Sequence, residues 1–171
     1  INDPEALLVV EFAEDIWSEN LKKVKDLEAL LKDTSDNTNN SIVLIEDQNS
    51  QNRISEMRKS GLNIMMSMKS EAKPVSFVED CAVPLHNLAE YTQGLTDIFD
   101  KYQTSGTWYA HASVGCLHVR PVLNMKDTRD IIKMRSIATE AFELVKKFNG
   151  SHSGEHGDGI SRSEFNPVMF G

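Results

Sequence analysis

The stretch 150-GSHSGEHGDGISRS-163 sets two histidines and two acids among four glycines, Gly150, Gly154, Gly157 and Gly159. The chain has five histidines, and His111, His118, His152 and His156 all lie beyond residue 110. His156 follows Glu155, and an imidazole titrates near working pH, so His156 is a candidate general base. Its neighbours Gly154, Gly157 and Gly159 allow positive φ and a backbone close to a ligand. The plainer alternative is a solvated loop with incidental polar residues. The glycines do not form a dinucleotide fingerprint, because they do not open a helix after a strand and their order is reversed. No P-loop occurs either, so the sequence shows no phosphate cradle.

His111 and His118 are seven residues apart. On an unbroken strand an odd separation sends two side chains to opposite faces. Gly115 lies between them, and glycine inside a strand often marks a bulge or bend. One bulge there would place Tyr109, His111 and Ser113 on the face of Cys116, His118 and Arg120. Two imidazoles suit Zn²⁺, and also Fe²⁺ or Mn²⁺, and a carboxylate completes an open three-ligand site. Glu155 is the candidate carboxylate. The other reading is that both histidines are simply hydrogen-bonded in a sheet.

Periodicity supplies the elements that must position these residues. Ala6 to Phe12 reads as a buried strand. Trp17, Leu21, Val24, Leu27 and Leu31 predict a helix. Residues 33–40 are polar and read as a loop, and Ser41 to Glu46 as a second strand. Ile54, Met57 and Leu62 suggest a short helix. Lys73-Pro74 opens a new unit with a strand over Val75 to Asp80. Pro84 suits a first helical turn, and Leu85, Leu88, Leu95, Ile98 and Phe99 carry a helix to about Tyr102; His86 sits on its surface. Trp108 to Leu123 reads as one long strand broken at Gly115. Asp127 caps a helix with the stripe Ile131, Met134, Ala138, Ala141, Val145 and Phe148, and Gly150 ends it as a C′ residue. The class is therefore α+β: two ferredoxin-like units, residues 1–72 and 73–171, each an antiparallel sheet with helices packed on one face.

The 171 residues are 40% apolar, enough for a packed core, and net charge is −8. That acidity argues against nucleic acid, whose phosphates need basic patches. Only 7% of residues are aromatic, so no base-stacking platform is suggested. No apolar run reaches the roughly 18–20 residues of a transmembrane span, and no signal peptide is visible. Cys81 and Cys116 form no C-x-x-C pair and read as reduced thiols. A cytoplasmic protein is expected, peripheral to a membrane at most in its full-length form.

Two motifs carry a resemblance to a known family. 111-HASVGCLH-118 and 154-GEHGDG-159 resemble the H-A-G-D-G-N-L-H and G-E-H-G-[DI]-G signatures of the C-terminal, or cap, domain of FAD-linked oxidases. That family includes D-lactate, glycolate and D-2-hydroxyglutarate dehydrogenases. 78-VEDCAVP-84 resembles its E-D-x-x-V-P strand, and 161-SRSEFNPVMFG-171 looks like the branch fused to an iron–sulfur part. The resemblance implies a fragment of a FAD-dependent D-2-hydroxy-acid dehydrogenase, which oxidises a small 2-hydroxy acid to a 2-oxo acid. It implies His111, His118 and Glu155 as ligands of a divalent metal (Zn, Fe or Mn) and His156 as catalytic base. Arg58 looks like the family's W-x-x-R position for a substrate carboxylate. Arg120 is a second clamp, or else one half of a salt bridge. FAD would be bound mainly by an N-terminal domain that this stretch lacks, and an iron–sulfur domain would share the polypeptide. The isolated piece is then expected to be inactive, having no electron acceptor of its own. Ser113, Val114 and Cys116 depart from the first signature, and Val78 stands where the family often has lysine. His152 reads as incidental. Two other readings stay open: a non-catalytic ferredoxin-like interaction module, and a metal-dependent hydrolase.

Overall fold

Leu21, Val24, Leu27 and Leu31 recur every three or four residues, and they form the half-buried side of α1 (Trp17–Lys32), as expected. The structure, a computed structural model, describes residues 6–32 and 42–171. Before α1 the chain is tied to the helix: the Asn20 side chain accepts from the Glu14 N–H at 2.8 Å and donates to the Glu14 carbonyl at 2.9 Å. α2 (Gln48–Met66) is longer than its apolar residues imply. Asp47 caps it, Oδ1 accepting from the Ser50 N–H at 2.8 Å. Capping acts on the backbone, so the polar run after Asp47 becomes helical without an apolar stripe.

Two expected strands are absent. Ala6 to Phe12 is irregular, and so are residues 42–46. Leu7, Leu8, Val9 and Val43 are more than half exposed. Apolar, β-branched composition favours a strand only where another strand takes up its N–H and C=O groups. Neither segment has one among the described residues. The expected loop at residues 33–40, and Ser41, lie outside them.

The chain forms two compact units, Ile1–Arg58 and Lys59–Gly171. The second holds an antiparallel sheet built around β4 (Cys116–Leu123). On one edge β3 (Gly106–His111) pairs with β4, Tyr109 opposite His118 and His111 opposite Cys116. On the other edge β1 (Lys73–Pro74) and β2 (Glu79–Ala82) follow one another along β4. The expected strand at Val75 to Asp80 is therefore interrupted. Phe77 and Val78 are both buried. The ladder opens there and resumes at Glu79.

One strand had been expected over Trp108 to Leu123; the structure has a hairpin. Ala112–Val114 make a single 3₁₀ turn, and Gly115 closes it with φ of 69°. A Cβ on Gly115 would lie 2.0 Å from the Val83 carbonyl oxygen. Gly115→Ala is expected to lower stability by at least about 1–2 kcal/mol for the left-handed backbone alone. A fall in the urea midpoint at constant m-value would show it.

α3 (Leu88–Lys101) and α4 (Thr128–Lys147) pack on the sheet. Tyr91, Leu95, Ile98 and Phe99 of α3 meet Ile137, Ala138, Ala141, Phe142 and Val145 of α4. Leu117, Val119 and Leu123 complete this core from β4. Asp127 caps α4 as expected, accepting from the Arg129 N–H at 2.9 Å. At the other end Asn149, not Gly150, takes the left-handed conformation, with φ of 55°. The Gly150 N–H donates to the Val145 carbonyl and that of Asn149 to Lys146, the two bonds of a Schellman motif. Gly150 is small for another reason: its Cβ would come within 2.3 Å of the Ala82 carbonyl oxygen. There the chain returns to the sheet through an isolated bridge between Ala82 and Ser151. The short helices α5 (Gly159–Arg162) and α6 (Asn166–Phe170) end the chain.

Candidate active site

The hairpin brings the two imidazoles together without a bulge. Cross-strand partners share a face of a sheet, so Tyr109, His111, Cys116, His118 and Arg120 all line the side away from Leu117 and Val119. Reversal of the chain, not an extra residue in one strand, cancels the odd spacing. The His111 and His118 ring centroids are 5.2 Å apart at 85°, and Tyr109 lies against both.

The glycine-rich loop reaches this face because Asp80 holds it. Asp80 is fully buried. Its Oδ2 accepts from the backbone N–H groups of Glu155 and His156, each at 2.7 Å, and from the Ser153 hydroxyl at 3.3 Å. Its Oδ1 accepts from Arg162 Nη1 at 2.6 Å. The same guanidinium donates to the carbonyls of His152 at 2.8 Å and Gly157 at 2.6 Å. Burial raises the Asp80 carboxyl pKa. The two loop amides and Arg162 outweigh it and hold the group well below the carboxylate range. Gly157 and Gly159 have φ of 74° and 52°, so the loop needs their freedom. Gly154 instead packs on β2, its N–H donating to the Asp80 carbonyl at 2.8 Å.

Glu155 is thereby placed between the histidines. Its Oε1 is 3.8 Å from His111 Nε2 and its Oε2 is 3.5 Å from His118 Nε2. Tetrahedral donors about 2.1 Å from a shared centre would stand roughly 3.4 Å apart. Such spacing is compatible with donors around one ion, and these three residues could hold a divalent metal. His156 stacks on His118 at 5.3 Å, with Nε2 3.7 Å from Glu155 Oε2. A second group, Glu79, His118 and His156, also brings its donor atoms within 4.8 Å of one another. Glu79 is already engaged, however. Arg120 grips both its oxygens at 2.8 Å, and the Ser76 hydroxyl donates to Oε2 at 2.6 Å. The set with Glu155 is the one with an uncommitted carboxylate.

Arg120 thus has a carboxylate partner within the chain. Arg58 lies exposed on α2, in the first unit. His152, read from sequence as incidental, is a core residue only 1% exposed, with its ring against Phe142 at 4.9 Å. Its Nδ1 is 2.9 Å from Asp158 Oδ1, an ion-pair distance without hydrogen-bond alignment. Burial holds its pKa below the ordinary histidine value despite the Asp158 charge. Cys116 faces the site, but burial and then Glu155 push its thiol up to about 11, so it stays protonated at neutral pH. Both cysteines are free, as expected.

The profile of the family described as "FAD linked oxidases, C-terminal domain" matches residues 1–171. The chain belongs to this family. It is 33% identical over 168 residues to a D-2-hydroxyglutarate dehydrogenase of Pantoea ananatis, covering 96% of this chain and 16% of that protein. The identity is 38% over 119 residues with the enzyme of that name from Escherichia coli, covering 70% of this chain and 12% of that protein. The glycolate oxidase subunit GlcD of Bacillus subtilis is 27% identical over 112 residues, 66% of this chain and 23% of that subunit. The chain spans about a sixth of the length of the first of these relatives. Among the described residues of this FAD-linked oxidase domain, no helix is long and apolar enough to cross a membrane.

Sequence reasoning missed Asp80, Arg162 and Glu79 as builders of the site. The available signal was the Glu79-Asp80 pair set directly against the apolar run Cys81-Ala82-Val83. Two acids entering a buried strand must each find donors or cations.

Proposed function

We propose that this chain is the substrate-side domain of a FAD-dependent D-2-hydroxy-acid dehydrogenase. One observation carries the reading: His111, His118 and Glu155, from a hairpin and a separate loop, converge with donor atoms within 4.8 Å of one another, beside His156. The histidine-and-carboxylate donor set fits a borderline divalent cation, Zn²⁺, Fe²⁺ or Mn²⁺. Such an ion supplies Lewis acidity toward a substrate hydroxyl. FAD, held mainly by the remainder of the polypeptide, supplies the hydride acceptor. The chain's own residues do the rest. His156 Nε2 receives the proton of the substrate hydroxyl. Asp80 keeps the Glu155 and His156 backbone in place, so ligand and base move as one piece. Arg120, which also fixes Glu79, is the proposed partner of the substrate carboxylate on the second unit.

The same reading includes an iron–sulfur domain elsewhere in the polypeptide. It also treats residues 1–72 and 73–171 as the two parts of a cap, the second of them ferredoxin-like. The strand–helix–strand–strand–helix order closing at the Ala82–Ser151 bridge supports that description of the second part.

Metal analysis of the full-length protein tests the proposal. Wild type is expected to hold one divalent metal per chain, and a D-2-hydroxy acid should bleach its flavin. His118→Ala should lose the metal and slow bleaching by more than the about 10–100-fold typical of losing an outer-shell partner alone. Full flavin reduction by metal-free protein would overturn the assignment. Turnover of an ester or amide without flavin would point to a hydrolase instead.

A further inference from the structure

Glu79 has a backbone conformation that its place in the strand does not explain. Its φ is 34°, in the left-handed region, at the first residue of β2. Side chains longer than Asn or Asp rarely adopt it, and such strain persists only where the surroundings enforce it. In the ladder Glu79 stands opposite Val119, and Asp80 opposite His118. Val119 is a core residue, so a regular extended Glu79 would project into the core. Its carboxylate lies instead on the histidine face, bonded to Arg120 and Ser76. There its Oε1 comes within 3.5 Å of His118 Nδ1. The other ring nitrogen, Nε2, faces Glu155 Oε2 at the same distance.

The two nitrogens of His118 therefore look at two carboxylates with different duties. Glu155 has no cation partner among the described ion pairs, only histidines. Glu79 is neutralised and locked by a bidentate guanidinium. A neutral imidazole carries one proton, and the nitrogen without it is the one able to ligate.

We propose that Glu79 is a positioning residue for His118, holding the proton on Nδ1 so that the Nε2 lone pair points toward Glu155 and His111. This rests on the metal reading above. Arg120 and Ser76 act one step further out, by fixing the carboxylate that fixes the ring. The left-handed backbone at Glu79 is the strain that this arrangement maintains.

The test uses full-length protein and Zn²⁺ affinity measured by chelator competition. Glu79→Gln is expected to weaken binding by about 10–100-fold, the range for losing an outer-shell partner of a ligating histidine. Unchanged affinity would overturn the proposal. Ser76→Ala, which leaves Glu79 intact, should give a smaller loss in the same direction and serves if Glu79→Gln fails to fold. A second readout is the His118 tautomer, from NMR of isotope-labelled histidine rings in metal-free protein. Wild type should show the proton on Nδ1, and Glu79→Gln a mixture. If wild type binds no Zn²⁺, the metal reading fails by itself, and the tautomer still decides the role of Glu79: a proton on Nε2 in wild type overturns it.

Discussion

Asp80→Asn is expected to destabilise the second unit by about 3–5 kcal/mol, the range for removing one partner of a buried ion pair. The carboxylate is fully buried and serves four donors: the Glu155 and His156 amides, the Ser153 hydroxyl and Arg162. An asparagine keeps the shape but turns one acceptor into a donor. Arg162, only 4% exposed, would keep its charge with no counter-ion. Chemical denaturation should show the loss as an earlier midpoint. Proteolysis at Gly154 to Gly159 should become faster than in wild type, because the loop loses its anchor. The same carboxylate gives a pH dependence. Its folded pKa lies below the ordinary value of 3.8. A depressed carboxyl contributes stability that is fully present above the unfolded pKa and is lost as pH falls toward the folded one. Wild type should therefore weaken progressively on acidification below about pH 4, and Asp80→Asn should show a shallower acid dependence. An identical acid profile in the two proteins would mean that Asp80 is not the responsible group.

His156→Gln is expected to lower kcat for hydroxy-acid oxidation by about 10²–10⁴-fold, the usual contribution of a positioned general base. Bound metal should stay the same. The His156 ring lies over His118 but contributes nothing to the set His111, His118 and Glu155. Its side chain is half exposed, so a proton taken from substrate has a route to water. This separates it from His118, whose replacement should remove metal and activity together. Loss of metal in His156→Gln would move His156 into the ligand set. Unaltered kcat would remove it from the chemistry.

The candidate site was legible in the types and order of its residues but not in its means of assembly. His111, His118, Glu155 and His156 could be singled out through the two motifs that resemble the family's signatures; spacing alone left a hydrogen-bonded sheet and a solvated loop open. The odd spacing of seven correctly implied a break at Gly115. A bulge and a hairpin satisfy that parity equally well, and only the pairing of β3 with β4 distinguishes them. His152 shows the opposite failure. From sequence it is a polar residue on a glycine-rich loop, yet the Phe142 ring and the return of the chain to β2 bury it.

The sequence by itself determined the helices α1, α3 and α4, the cap at Asp127, the break at Gly115 and membership of the FAD-linked oxidase family. All of these rest on local signals: apolar period, side-chain-to-backbone bonds, a conformation needing glycine, and two short motifs. Only the tertiary structure decided that Ala6 to Phe12 and residues 42–46 are not strands, that Phe77 and Val78 interrupt one, and that Asp80 and Arg162 carry the loop. Strand pairing and the neutralisation of buried charge depend on groups far apart in sequence. The Asp80–Arg162 pair spans 82 residues and that of Arg120 with Glu79 spans 41. The Glu79-Asp80 pair beside an apolar run signals buried acids that need donors, but no local pattern names Arg162 or Arg120 as those donors.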